Sequence, residues 1–267
     1  MLAKVRNDKV APMLNKVPQV TLIFWIIKIL ATTLGETGGD AVSMTMGLGY
    51  AIGSAIFIGI FAIAVAAQIA AKRFHPYLYW LVIVATTTAG TTMADLADRT
   101  LGVGCPGGAL ILFALLLASL ATWYWAEGSV SIDTVMTPKV ESFYWVTILF
   151  SQTLGTALGD WVAGSDRGGL GLGYEYGALV FAAGLAIIAT LYFCTEVSRV
   201  LLFWAAFILT RPLGATLGDL LDKPVANGGF AVGRYYASAI LAAIIVALIL
   251  VLPQKAGRAT GAAEGHA

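Results

Sequence analysis

The sequence predicts an all-α integral membrane protein with eight transmembrane helices, arranged as four repeats of two helices. Hydrophobic residues make up 59% of the 267 residues and charged residues only 12%, whereas about a quarter of a soluble domain is charged. The apolar residues form eight stretches, each close to the roughly 20 residues that cross a bilayer. The net charge of +1 offers no basic surface for nucleic acid, so the lipid bilayer is the first expected partner.

The first stretch follows a basic segment, residues 1–18, which we interpret as a cytoplasmic tail. This start lacks the short apolar core and cleavage site of a signal peptide, so the first helix is predicted to be retained. The predicted spans are 20–40, 50–71, 77–97, 107–126, 143–163, 174–194, 199–221 and 231–252.

Basic residues predict the orientation of these spans. An even number of spans places both termini on one side, and that side carries most of the lysine and arginine. Its basic residues are Lys4, Arg6, Lys9, Lys16, Lys72, Arg73, Lys139, Arg199, Lys255 and Arg258, against Arg99, Arg167, Lys223 and Arg234 on the other. The positive-inside rule then predicts cytoplasmic N- and C-termini.

A tryptophan opens each odd-numbered span and defines the repeat. These tryptophans are predicted to anchor the helices at the inner interface, and they are Trp25, Trp80, Trp145 and Trp204. Counted from the tryptophan as position 0, position 10 is always glycine, position 14 is glycine or alanine, and position 15 is always aspartate. The predicted repeats are 19–75, 76–138, 139–197 and 198–253, followed by a cytoplasmic tail, 254–267.

Each repeat holds two spans, so all four repeats enter the membrane in the same direction. This parallel order predicts a pseudo-fourfold or doubled pseudo-twofold bundle. The small residues at positions 10 and 14 form the small-xxx-small pattern that lets membrane helices approach closely. They are Gly35, Gly39, Gly90, Ala94, Gly155, Gly159, Gly214 and Gly218, and packing is their expected role.

A polar stripe lies beside the small residues on each odd helix. Its predicted path-lining or ion-binding members are Thr33, Glu36, Thr37, Asp40, Thr88, Thr92, Asp95, Thr156, Asp160, Thr216 and Asp219. Charges inside a membrane segment are costly and mark candidate functional sites. Lys28 and Arg211 lie deeper and are predicted to balance the charge of Glu36 or of an aspartate. An alternative is that the aspartates only cap helices at the outer surface.

These oxygen ligands suit hard cations better than zinc or copper. The sequence therefore predicts a divalent cation, with Glu36 and Asp40 as its candidate ligands, and no covalently bound cofactor. The sequence contains no zinc-protease motif, nucleophile elbow or phosphate-binding loop, so no enzymatic activity is predicted.

The opening tryptophan, the threonine- and glycine-rich run ending in Gly-Asp, and the two spans per copy resemble a known bacterial family. It comprises membrane-anchored proteins built from four tandem two-helix repeats of unknown function. The resemblance extends from about Phe24 to Pro253. The second repeat of this sequence departs from the family pattern at Ala94, where glycine is usual. The resemblance implies the fold but no substrate.

The functional hypothesis is a multi-pass transporter or channel. A small cation, either a hard metal ion such as Mn²⁺ or one coupled to protons, would pass between the odd-numbered helices. The alternative hypothesis is a membrane scaffold or sensor without transport, in which the glycine and aspartate motifs are structural. Assembly into a homo-oligomer is left open by the sequence.

Overall fold

The structure is a computed structural model that describes residues 15–257. Residues 1–14 and 258–267, which hold most of both predicted tails, lie outside the described part. The described chain contains eight long α-helices and no β-strand. They are α1 (Leu22–Asp40), α2 (Gly49–Ala70), α3 (Pro76–Asp95), α4 (Cys105–Glu127), α5 (Pro138–Ala163), α6 (Gly173–Cys194), α7 (Arg199–Asp222) and α8 (Arg234–Val251).

Six of these helices are long and apolar enough to cross a membrane, namely α1, α2, α4, α6, α7 and α8. The other two, α3 and α5, are less apolar because threonine, serine and glutamine replace aliphatic residues on their buried faces. Short π-helical segments, Ala41–Thr45 and Leu96–Thr100, extend α1 and α3 at their C-terminal ends.

The four odd-numbered helices pack in a closed inner ring. Helix α1 packs against α3 and α7, and α5 packs against the same two helices. The even-numbered helices lie outside this ring, each against the odd helix of the following repeat. Thus α2 packs on α3, α4 on α5, α6 on α7, and α8 returns to α1. The connection from α8 to α1 closes the circle.

The small residues of the repeat lie where neighbouring ring helices approach most closely. A Cβ atom added to Gly90 would lie 2.9 Å from the backbone of Gln152, and one added to Gly218 would lie 2.7 Å from Glu36 Cβ. An added Cβ at Gly35 would overlap Thr87. Position 10 therefore contacts position 7 of the next repeat, and position 14 contacts position 11.

A layer of eight aromatic rings closes one end of the ring of helices. Each opening tryptophan contacts the aromatic residue just before it in its own repeat, and also the corresponding residue of the preceding repeat. The contacts between repeats are Phe24–Trp80 at 5.5 Å, Tyr79–Trp145 at 5.6 Å, Tyr144–Trp204 at 6.4 Å and Phe203–Trp25 at 5.8 Å between ring centroids.

Three of the four opening tryptophans are buried in the protein. Trp80, Trp145 and Trp204 are at most 4% exposed, whereas Trp25 is partly buried. The reason for this burial is the aromatic neighbour at the preceding position, which offers each indole an edge-to-face or tilted partner. The depth of the tryptophans in a membrane, and with it the predicted interfacial role, stays a prediction.

The two ends of the described chain meet beside this aromatic layer. The amide of Gln19 donates to the Lys255 carbonyl at 2.9 Å, and that of Gly257 donates to the Val17 carbonyl at 2.8 Å. Val17 is buried in the same hydrophobic cluster as the aromatic rings. We call this end of the molecule the inner end, and the end that carries the position 15 aspartates the outer end.

Candidate functional site

The side chain of Arg211 connects all four helices of the inner ring. It extends from α7 and is fully buried. Its Nη2 atom lies 3.0 Å from Glu36 Oε2 on α1 and donates to the hydroxyls of Thr91 on α3 at 2.6 Å and Thr156 on α5 at 2.5 Å. Its Nη1 atom donates to the Thr32 carbonyl at 3.3 Å. One guanidinium therefore occupies the middle of the ring.

A glycine on the neighbouring helix makes room for this arginine. An added Cβ at Gly155 would overlap Arg211 Cβ and Cγ, so only glycine lets the arginine side chain pass α5 toward the centre. The contact with Glu36 is the pairing that the sequence proposed for Arg211. Because removing a charge from water is costly, this pairing and the threonine bonds are needed to hold the guanidinium there.

Lys28 has different partners from those that the sequence proposed. Its ammonium donates to the Phe207 carbonyl at 3.0 Å and to Thr210 Oγ1 at 2.5 Å, and lies 3.8 Å from the centre of the Phe207 ring. Within residues 15–257, no salt bridge joins it to a carboxylate. Lys28 lies at position 3, two turns below Glu36 on the same helix, which explains why Arg211 takes the glutamate instead.

The four aspartates at position 15 are bridged in pairs by two basic residues at position 19. Arg99 contacts Asp95 of its own repeat and Asp160 of the next, the latter at 3.7 Å. Lys223 contacts Asp219 of its own repeat at 2.9 Å and Asp40 of the first repeat at 2.5 Å. The outer layer thus follows a twofold pattern inside the fourfold repeat.

Lys223 is held by more than these two carboxylates. Its Nζ atom also lies 3.8 Å from Asp222, which in turn accepts from Arg234 Nε on α8 at 2.7 Å. Burial alone lowers the pKa of Lys223, but the carboxylates of Asp219, Asp40 and Asp222 outweigh it and raise this pKa well above its ordinary value. The Lys223 side chain therefore stays protonated and positively charged at the outer end.

Two aspartates of the outer layer come close to Glu36, the carboxylate that contacts Arg211. Oxygens of Glu36, Asp40 and Asp219 lie within 4.8 Å of one another, and all three residues are buried. Oxygen atoms at such separations suit a single hard cation. Two of the three, Glu36 and Asp40, are the candidate ligands that the sequence identified, and Asp219 joins them from the adjacent helix.

The charges of this region do not balance. If every group carries its ordinary charge, the ion pairs that link this region join six carboxylates to four basic groups, which leaves two negative charges. The carboxylates are Glu36, Asp40, Asp95, Asp160, Asp219 and Asp222, and the basic groups are Arg99, Arg211, Lys223 and Arg234.

The structure places most of the predicted threonine stripe away from the centre of the ring. Thr37 contacts Ser238 of α8 at 2.8 Å. Thr92 and Thr216 face the first turns of α2 and α6, where an added Cβ at Gly53 or Gly177 would touch them. The hydroxyls of Thr33 and Thr88 donate to carbonyls of their own helices. Of the predicted threonines, Thr156 alone contacts Arg211 among the described contacts.

These threonines lie away from the centre because neighbouring positions on a helix point in different directions. Successive residues differ by about 100° in direction, so position 12 faces the outer helix while position 11 faces the ring. The predicted site left out three residues at position 7 and both basic residues at position 19: Thr32, Thr87, Gln152, Arg99 and Lys223. Position 7 is polar in every repeat, which was the available signal.

Comparison with family models gives four matches along the chain, at residues 23–74, 78–129, 143–198 and 202–253. Each match is to the same model, described as Repeat of Unknown Function (DUF347). The chain belongs to the DUF347 repeat family. The matches confirm the four-repeat family resemblance of the sequence. No curated protein and no solved structure gave a match.

The DUF347 repeats therefore coincide with the tandem unit seen in the structure, one ring helix followed by one outer helix. The family description names no substrate and no activity.

Proposed function

We propose that this DUF347 protein is a multi-pass transporter or channel for a small cation. Its eight helices cross the bacterial inner membrane as a pseudo-fourfold bundle, with both termini in the cytoplasm. The path follows the axis of the inner ring. The observation that carries the proposal is the buried group of Glu36, Asp40 and Asp219, whose oxygens lie within 4.8 Å of one another.

The ligand chemistry supports a hard divalent ion such as Mn²⁺. Carboxylate oxygens are the ligands that such ions prefer, and all three residues of the group are carboxylates. The excess of negative charge among the linked carboxylates and basic groups favours a cation, since binding one lowers the cost of these charges inside a membrane.

The conformation described here is closed at this site. Glu36, Asp40 and Asp219 are at most 5% exposed, and the ammonium of Lys223 lies between Asp40 and Asp219. A cation that binds these two carboxylates competes with this ammonium. Transport therefore requires that the Lys223 side chain leave the site, which opens the outer end of the path.

Flux into liposomes tests the proposal. The purified protein is reconstituted around a metal-sensitive dye, and Mn²⁺ is added outside. We expect flux from the wild type and little or none from Glu36→Gln or Asp219→Asn, because each removes a charged ligand with little change in shape. Asp166→Asn is the matched control, since its carboxylate is 62% exposed. Equal flux from all four proteins would refute the assignment.

The second candidate function is a scaffold or sensor without transport. The observation that favours it is the burial of the axis, where Arg211, Arg99 and Lys223 join neighbouring repeats. Such contacts hold a rigid bundle regardless of transport. In the liposome assay this candidate gives the same baseline flux for wild type and variants over the metal ions and pH gradients applied.

A further inference from the structure

Buried polar atoms at position 7 of the ring have no hydrogen-bond partner within the described protein. They are Thr87 Oγ1, Gln152 Oε1, Gln152 Nε2 and Arg211 Nε. Thr87 and Gln152 are both fully buried, as is Arg211. The fourth residue of this layer, Thr32, donates its hydroxyl to the Ile29 carbonyl at 2.8 Å.

The geometry of the next turn shows that these atoms face a common region. Thr91 and Thr156 lie one turn beyond Thr87 and Gln152, and both hydroxyls contact the same nitrogen, Arg211 Nη2. Residues four apart lie on the same face of a helix. Thr87 and Gln152 therefore lie on the same helix faces as the two threonines that contact Arg211, one turn inward of them.

A buried polar atom without a partner costs roughly 1–3 kcal/mol, so four in one layer would be a heavy penalty. A bound molecule that satisfies them must accept from Arg211 Nε and from the Gln152 amide, and donate to Gln152 Oε1. Water does both, and buried waters typically make two to four such bonds. A metal cation is disfavoured because the Arg211 guanidinium belongs to this layer and the basic side chain of Lys28 lies one turn further inward.

We propose that Thr87, Gln152 and Arg211 form a buried water-binding site on the axis of the ring, inward of the carboxylate group. If the proposed transport function holds, this site is the hydrated segment between the cation-binding carboxylates and the inner aromatic layer. The water site itself is tested without any measurement of transport.

X-ray hydroxyl-radical footprinting detects water inside a folded protein, because radicals formed from bound water oxidise adjacent side chains. Phe207 and Ile148 lie one turn inward of Arg211 and Gln152 and are fully buried. We expect both to be oxidised in the intact protein, whereas Leu116, equally buried between α4 and α5, stays unmodified. Absence of oxidation at Phe207 and Ile148 would overturn the proposal.

The variant Gln152→Met separates a hydrated layer from a dry one. Methionine has nearly the same length but no polar atoms. In a hydrated site the variant loses the water's hydrogen bonds, so we expect a lower melting temperature in detergent and loss of oxidation at Phe207. In a dry site it removes unpartnered polar atoms, so the melting temperature would rise, which contradicts the proposal.

Thr87→Val tests the same site with a smaller change, and we expect it to lower the melting temperature by less than Gln152→Met does. Thr86→Val is the matched control, since Thr86 is equally buried and its hydroxyl already donates to carbonyls of its own helix.

A small anion is the other molecule that could occupy this site. If replacing chloride by gluconate lowers the melting temperature of the wild type but not of Gln152→Met, the occupant is an anion and the water site is refuted.

Discussion

Arg211 shows how a single side chain organises the interior of this protein. A guanidinium has five donors in a fixed plane, and here they reach Glu36, two threonine hydroxyls and a backbone carbonyl from three different helices. Nη2 alone contacts residues of α1, α3 and α5, while Nη1 bonds to the Thr32 carbonyl, and a lysine ammonium lacks this second, rigidly placed nitrogen. Lys28, two layers further in, accordingly bonds only to α7 among the described contacts.

We expect Arg211→Met to lower the free energy of unfolding by about 3–5 kcal/mol, because it leaves the buried carboxylate of Glu36 without its partner. The measurement is reversible unfolding in detergent, followed by tryptophan fluorescence. The double variant Arg211→Met with Glu36→Gln is expected to lose less than the sum of the single losses. Arg199→Met, at the exposed start of α7, is the control. Additive losses would show that the pair does not interact.

At the scale of the helices, contacts between repeats determine how the ring closes. Position 10 of each repeat faces position 7 of the next, so glycine is needed wherever a large side chain stands opposite it. Gly155 faces Arg211, and Gly90 faces Gln152. Ala94, where the other repeats have glycine, is also fully buried, so a single methyl group is accommodated at that crossing.

Helix α1 provides a matched pair of glycines for testing this packing. An added Cβ at Gly35 would overlap Thr87 of α3, whereas one at Gly38 would meet nothing within 4 Å. We expect Gly35→Ala to destabilise the protein by about 1–3 kcal/mol through overpacking. Gly38→Ala is expected to be neutral or to stabilise by up to about 1 kcal/mol, because alanine favours the helix. Equal melting temperatures for the two variants would contradict the packing.

At the scale of the whole molecule, the repeat explains which features the sequence could predict. The spans, the four-repeat pattern and the layer of position 15 aspartates follow from patterns along one chain. The orientation of each stripe does not, because helical period assigns residues to a face but does not identify the neighbouring helix. Hence Thr37 was expected at the centre and lies against α8, while Thr91, at position 11, contacts Arg211.

The pairing of charges was equally open in the sequence. Lys28 and Arg211 were both candidates for Glu36, and only the closure of α7 onto α1 selects the arginine. The bridges made by Arg99 and Lys223 depend on contacts between different repeats. No alignment of one repeat with another predicts them, since position 19 carries a basic residue in only two of the four repeats.

The native cysteines test the predicted orientation in the membrane. Cys194 is exposed at the C-terminal end of α6, and Cys105 is buried. If both termini are cytoplasmic, Cys194 faces the cytoplasm. We expect a membrane-impermeant maleimide to label the wild type in inverted vesicles and not in intact spheroplasts.

The variant Cys194→Ser with Ser165→Cys is expected to reverse this result, since Ser165 is exposed in the loop between α5 and α6 at the outer end. Labelling of Cys194 in intact spheroplasts would show that the protein has the opposite orientation in the membrane. The aspartate layer would then face the cytoplasm, and a cation would enter the proposed path from inside the cell.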